Sequence, residues 1–144
     1  MARYDVFNGD ADGLCSLQQL HLSEPDSDAA SLVTGTKREI ALLQRVPAEQ
    51  ADRVTVLDLS LDKNRRPLLE LLESGARVRY FDHHYAGEIP THANLDPHID
   101  PTANRGTSLL VDKFLYHLPL YRQHQRLADA FQPRQPPLEE AHNR

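Results

Sequence analysis

Short apolar runs in this chain repeatedly stop on an aspartate, with helical runs between them. Tyr4 to Phe7 breaks at Asn8-Gly9 before Asp10, Arg53-Val54-Thr55-Val56-Leu57 stops on Asp58, and Arg77-Val78-Arg79-Tyr80-Phe81 leads into Asp82-His83-His84. β-branched and aromatic residues bounded by turn formers predict strands. Ser31 to Thr34 predicts another. Between them, Leu14 to Leu22 carries apolar residues at helical spacing, with Asp12 placed as N-cap. Ile40 to Val46 reads as a short helix closed by Pro47. Leu61 to Ser74 reads as a longer one, with Leu68, Leu69, Leu71 and Leu72 on one face, Pro67 tolerable only in a first turn, and Gly75 as its stop. Alternating strands and helices predict an α/β fold: a parallel sheet with helices on both faces, a Rossmann-like three-layer sandwich. Such sheets place ligands outside the carboxyl ends of their strands, where Asp10, Asp58 and Asp82 fall.

The pattern loosens after Tyr85. Pro90, Pro97 and Pro101 make residues 87–104 read as loop, and Gly106 to Leu118 recovers as a helix. The expected organisation is one domain over residues 1–118, followed by a poorly ordered tail over 119–144 rich in Pro, Gln and Arg. The net charge of -5 argues against a broad basic surface gripping long nucleic acid. It leaves room for a small phosphorylated substrate, because bound metal ions add positive charge that the count omits. A single cysteine, Cys15, rules out an internal disulfide and reads as a small core residue of the first helix. The first residues meet acidic side chains before any apolar signal core, and no apolar run reaches the ~20 residues of a membrane span. A cytoplasmic location is the expectation.

The acidic turn Asn8-Gly9-Asp10-Ala11-Asp12-Gly13 fits the first half of an EF-hand loop. The twelfth loop position is then Gln19, where a bidentate Glu is needed, and a strand rather than a helix precedes the turn. That reading fails. A turn whose Asp side chains bond their own backbone remains the plain alternative. Asp58 alone reads as a helix cap. Asp82-His83-His84 is harder to justify by packing: three consecutive titratable, metal-competent side chains end one strand, and adjacent imidazoles favour the neutral form that metals require.

Taken in order, a D-x-D-G turn after one strand, a lone Asp after a later strand and D-H-H after the next resembles the motif series of the DHH phosphoesterase superfamily. The likeness runs from Val6 to about Ile89, most specifically in FNGDADGLCSLQQL and YFDHH. That superfamily includes RecJ-type exonucleases, oligoribonucleases, cyclic-dinucleotide phosphodiesterases and a class of inorganic pyrophosphatases. The resemblance implies that Asp10 binds one metal ion and Asp12 the other, that Asp58 bridges them, and that His83 ligates the second. It implies His84 beside the scissile phosphate and Asp82 supporting the site from behind. Carboxylate oxygens with an imidazole suit Mn²⁺ or Mg²⁺, and two such ions can activate a water and steady the leaving oxygen.

Further candidates are Lys37 and Arg38, which could contact substrate phosphates, and the helix start Gly106-Thr107-Ser108, which could receive an anion, though ordinary capping is the favoured reading. His92 and His98 read as incidental. The series departs from the family in three ways. Val6 stands where many members have a metal-binding His, although RecJ-like branches manage without it. The fourth motif Asp has only Asp129 as a weak counterpart, and no glycine-rich second domain is visible. The expected function is a metal-dependent phosphoesterase acting on a small nucleotide or oligonucleotide. The alternative is a non-catalytic nucleotide- or metal-binding module, or a remnant of a longer enzyme.

Overall fold

The computed structural model describes residues 1–24, 29–102 and 106–116. The tail over 119–144, Asp129 within it, and the end of the helix expected to reach Leu118 lie outside these residues. Among the described residues no helix is long and apolar enough to cross a membrane.

Five strands form one parallel sheet: β1 (Arg3–Phe7), β2 (Ser31–Thr34), β3 (Arg53–Leu57), β4 (Arg77–Asp82) and β5 (Leu95–Ile99), in the order β2-β1-β3-β4-β5. Helix α1 (Ala11–Ser23) links β1 to β2, α2 (Arg65–Glu73) links β3 to β4, and α3 (Thr107–Leu115) follows β5. The pleat sends alternate residues to opposite faces. Val6, Val54, Val56, Val78 and Tyr80 join Leu68, Leu71 and Leu72 of α2 on one face. Phe7, Leu57 and Phe81 join Leu17 and Leu20 of α1 and Val111 and Leu115 of α3 on the other. Helices therefore cover both faces, as the alternation of elements requires.

From β1 the chain moves outward to β2, then returns past β1 to β3. The sheet order thus reverses between β1 and β3, and such a switch point leaves a crevice at the carboxyl ends of its two strands. Asp10 and Asp58 lie at those ends.

Several local expectations give way. Asp10, not Asp12, caps α1, its Oδ1 accepting from the Gly13 N–H at 2.9 Å. Residues 40–46 form only one 3₁₀ turn at Leu43–Arg45. Buried Asn64 claims their backbone instead, accepting from the Leu43 N–H at 3.2 Å and donating to the Ile40 carbonyl at 2.8 Å. Residues 61–74 split into a 3₁₀ turn at Asp62–Asn64 and then α2, so Pro67 falls in the first turn of a shorter helix. Gly75, at φ 92°, ends it. Leu69 is exposed, off the buried stripe of Leu68, Leu71 and Leu72.

Cys15 is also exposed, because the inward stripe of α1 runs through Gly13, Ser16, Leu17, Leu20 and Ser23. Residues 87–104 are not all loop: β5 lies within them, with Pro97 at its centre. An edge strand tolerates that proline, having one side free of pairing. His98, read as incidental, stacks on Phe81 with ring centroids 4.7 Å apart.

Candidate metal centre

The turn after β1 is built by close backbone approach. The Asn8 side chain accepts from the Asp10 N–H at 3.2 Å, and the Asn8 carbonyl sits so near Gly13 that a Cβ there would collide with it. Asp10 and Asp12 are thereby held at the carboxyl end of β1. Asp58, next to the end of β3, has φ 62°, the only positive φ among the described residues other than glycine. That left-handed backbone costs energy for a side-chain-bearing residue, and such strain persists where surrounding structure enforces it. Asp58 is only 1% exposed.

Helix α3 closes the site from the other side. Both oxygens of Asp12 accept backbone N–H groups from its first turn, Thr107 and Ser108, at 2.9 Å each. Gly106 permits the approach, since a Cβ there would lie 3.1 Å from the Asp12 carboxylate. The Thr107 hydroxyl donates to Asp58 Oδ1 at 3.0 Å. The helix start Gly106-Thr107-Ser108 does receive an anion, and that anion is the side chain of Asp12. The contact of the Thr107 hydroxyl with Asp58 leaves no local signal in the sequence, because the two residues lie 49 positions apart.

His83 Nε2 lies 3.2 Å from Asp58 and 3.5 Å from Asp12. His84 Nδ1 lies 2.6 Å from Oδ1 of Asp82, which is fully buried beneath it, and the two imidazole rings are 4.5 Å apart. Ligand atoms of Asp58, His83 and His84 all fall within 4.8 Å of one another, so His84 belongs to the same cluster as His83. Asp10 lines the same cleft as Asp58, close enough to push the Asp58 carboxyl up. Five of the six motif residues thus surround one spot, with Asp82 behind them.

The electrostatics follow from this crowding. Burial, the neighbouring Asp10 carboxyl and the negative charge of Asp12 push the Asp58 carboxyl up to about 8, against a weaker opposing pull from Thr107. Burial also raises Asp82, although His84 and backbone N–H groups partly offset it. Asp12 goes the other way: burial raises it, but the Ser108 and Thr107 N–H groups, the Ser108 side chain and His83 outweigh that and hold it below 3.8. Three carboxylates that cannot all ionise together need either a shared proton or a cation. Asp82 Oδ2 is buried without a hydrogen-bond partner. Hard carboxylate oxygens beside imidazole nitrogens are a donor set for Mn²⁺ or Mg²⁺, so the residues fit such an ion.

A cleft of about 520 Å³ opens beside these residues, lined by Asp10, Asp58 and His84 together with Lys37, Lys63 and Tyr85. Lys37 lies in its wall; Arg38, on the same exposed turn, does not. Lys63 escaped sequence reading because it looks like any solvated helix-start cation.

No family model and no curated protein sequence matches the chain. Solved structures do. A RecJ exonuclease bound to manganese is 26% identical over 87% of this chain and 34% of its own, with a TM-score of 0.54. RecJ from Thermus thermophilus in complex with Mn²⁺ is 26% identical over 88% of this chain and 18% of its own, at 0.52. An exopolyphosphatase-related protein from Bacteroides fragilis shares the fold at 16% identity and a TM-score of 0.53, over 83% of this chain and 40% of its own. The chain thus spans between 18% and 40% of the length of these structures.

Proposed function

We propose that this chain, whose fold and motif order are those of the DHH phosphoesterase superfamily, is a divalent-metal-dependent phosphoesterase domain acting on a small phosphorylated substrate. The observation that carries the reading is the convergence of Asp10, Asp12, Asp58, His83 and His84 at the switch point, with the Asp58 carboxyl forced up to about 8 by its burial and its acidic neighbours. In this reading Asp10, Asp12, Asp58 and His83 would hold two Mn²⁺ or Mg²⁺ ions. Such ions supply the positive charge that activates water near neutral pH and stabilises a phosphate ester under attack.

The chain's own groups do the rest. Asp82 orients the His84 ring through Nδ1, leaving Nε2 free to hold a proton beside the cleft. Lys37 and Lys63 would bind the phosphate oxygens as point charges on flexible stems. Asp58 would have to give up its proton to serve as a ligand. Thr107 and the α3 N-terminus fix Asp58 and Asp12, so the ligand set is positioned before the ion binds.

One observation favours a second reading, a metal-binding module without turnover: both oxygens of Asp12 already accept N–H groups from α3. A carboxylate retains further lone pairs, so ligation is compatible with this, yet the second ion would then be the weaker one.

The experiment is manganese-dependent hydrolysis of short oligonucleotides, cyclic dinucleotides, a chromogenic phosphodiester and pyrophosphate, comparing wild type with Asp58→Ala. Turnover lost in the variant supports the enzyme. If nothing is hydrolysed but calorimetry finds Mn²⁺ bound to wild type and not to Asp58→Ala, the module reading stands. No Mn²⁺ binding at all refutes both.

A further inference from the structure

The sheet face that carries α1 and α3 is apolar only at its carboxyl end. There Phe7, Leu57 and Phe81 sit under the two helices. One pleat lower the same face presents Asp5, Thr55 and Arg79, and one pleat lower still it presents Arg3, Arg53 and Arg77. Arg3 pairs with Arg53, and Arg53 with Arg77, as direct partners on adjacent strands. At the usual strand spacing this makes a row of guanidinium groups roughly 10 Å long. Like charges directly opposite each other destabilise a sheet, so the row carries a cost that nothing in the fold requires.

Its neighbours neutralise only one end of it: Asp5, on the pleat above, lies 3.6 Å from Arg3. Glu24, at the end of α1, takes Arg79 at 2.6 Å and also pairs with Arg3, while Thr55 Oγ1 accepts from Arg79 at 3.0 Å. Two arginines are thus fixed in direction. Arg53 and Arg77 are exposed and make no ion pair among the described residues. All four line a concave groove of about 410 Å³, with Asp96 the one carboxylate in its wall. The chain as a whole carries -5, so this row is a local inversion of sign and not part of a basic surface.

We propose that the groove binds a small oligophosphate anion, at a site separate from the carboxylate centre. A guanidinium engages two oxygens of one anionic group, so a row of them matches several charged groups in line, as in a di- or triphosphate, better than a lone carboxylate. Arg77 begins β4 and Asp82 ends it, which puts the two sites roughly 17 Å apart at opposite edges of the sheet. The inference stands independently of the metal reading.

The test titrates pyrophosphate into the full chain in EDTA at low salt, by calorimetry, with wild type, Arg53→Gln/Arg77→Gln and Asp58→Asn. Pyrophosphate is expected to bind wild type and Asp58→Asn alike, with affinity falling as salt rises. The double arginine variant should bind at least about tenfold more weakly. Amide shifts of wild type on adding pyrophosphate should centre on Arg53, Arg77 and Asn94, which covers the case of a misfolded variant. Failure of wild type to bind, or shifts centred on Asp10 and Asp58 instead, would overturn the proposal.

Discussion

Replacing Asp58 by Asn should stabilise the metal-free protein while abolishing its response to metal. Asp58 is buried, and its carboxyl sits at about 8 against an ordinary 3.8. A carboxyl raised in the folded state keeps its proton there and loses it in the unfolded chain. Its contribution is therefore fully favourable below the unfolded value and is lost as pH rises towards 8. Each pH unit inside that window costs about 1.4 kcal/mol, so wild type in EDTA should lose about 3 kcal/mol between pH 5 and pH 7.5. For a chain of this length that is roughly 10 °C in Tm. Raised Asp82 adds a slope of the same sign, whereas Glu24 and Asp12, both held low, act below the window. Asn tolerates the left-handed backbone at φ 62°, and its side-chain oxygen can still accept from the Thr107 hydroxyl. Asp58→Asn should therefore show a much flatter profile and exceed wild type at pH 7.5. Adding Mn²⁺ should raise the Tm of wild type and leave the variant where it was. Urea and thermal unfolding across pH in EDTA measure this directly. A wild-type profile that is flat or rises between pH 5 and 7.5, or a variant less stable than wild type at pH 7.5, would refute the account of crowded carboxylates.

Other perturbations probe the supports. Thr107→Val removes the hydroxyl that donates to Asp58 and should cost about 1–2 kcal/mol in urea unfolding, while Thr107→Ser should recover most of it. Gly13→Ala drives a Cβ into the Asn8 carbonyl, and a loss of about 3 kcal/mol or more is expected by the same assay. Burial raises the Glu24 carboxyl, but Arg79 and Arg3 more than reverse it, so its contribution is present above 4.5 and fades as pH falls through a lower folded value. Glu24→Gln should thus cost about 2 kcal/mol at pH 7, with the gap to wild type closing in acid melts below pH 4.

The parts of this fold that follow local rules are the ones the residues announce. β1, β3 and β4 stand out because runs of β-branched and aromatic residues lead into aspartates, and α1 because its stripe is regular. β5 does not, since Pro97 between Asp96 and His98 carries no strand pattern; only pairing with β4 makes it one. The helix expected at 40–46 fails because Asn64, distant in sequence, takes its backbone groups. The site divides the same way. Asp10, Asp12, Asp58, Asp82, His83 and His84 are visible as a series at strand ends. Asp12 as a cap, Thr107 and Lys63 are misread or missed, because each is decided by a partner from another element.

The hold of α3 on Asp12 also sets an order of assembly. The two hydrogen bonds join residues 95 and 96 positions apart. Contacts that distant carry a loop-closure cost that must be met before they repay it, so they form late. The nearer contacts of β1, β3 and β4 can bring Asp10 and Asp58 together before the start of α3 packs against them. Asp12 gains its anchor only when the start of α3 arrives. The full geometry of the candidate centre is therefore acquired in the last steps of folding, and a chain with a finished sheet would still hold an unfinished centre.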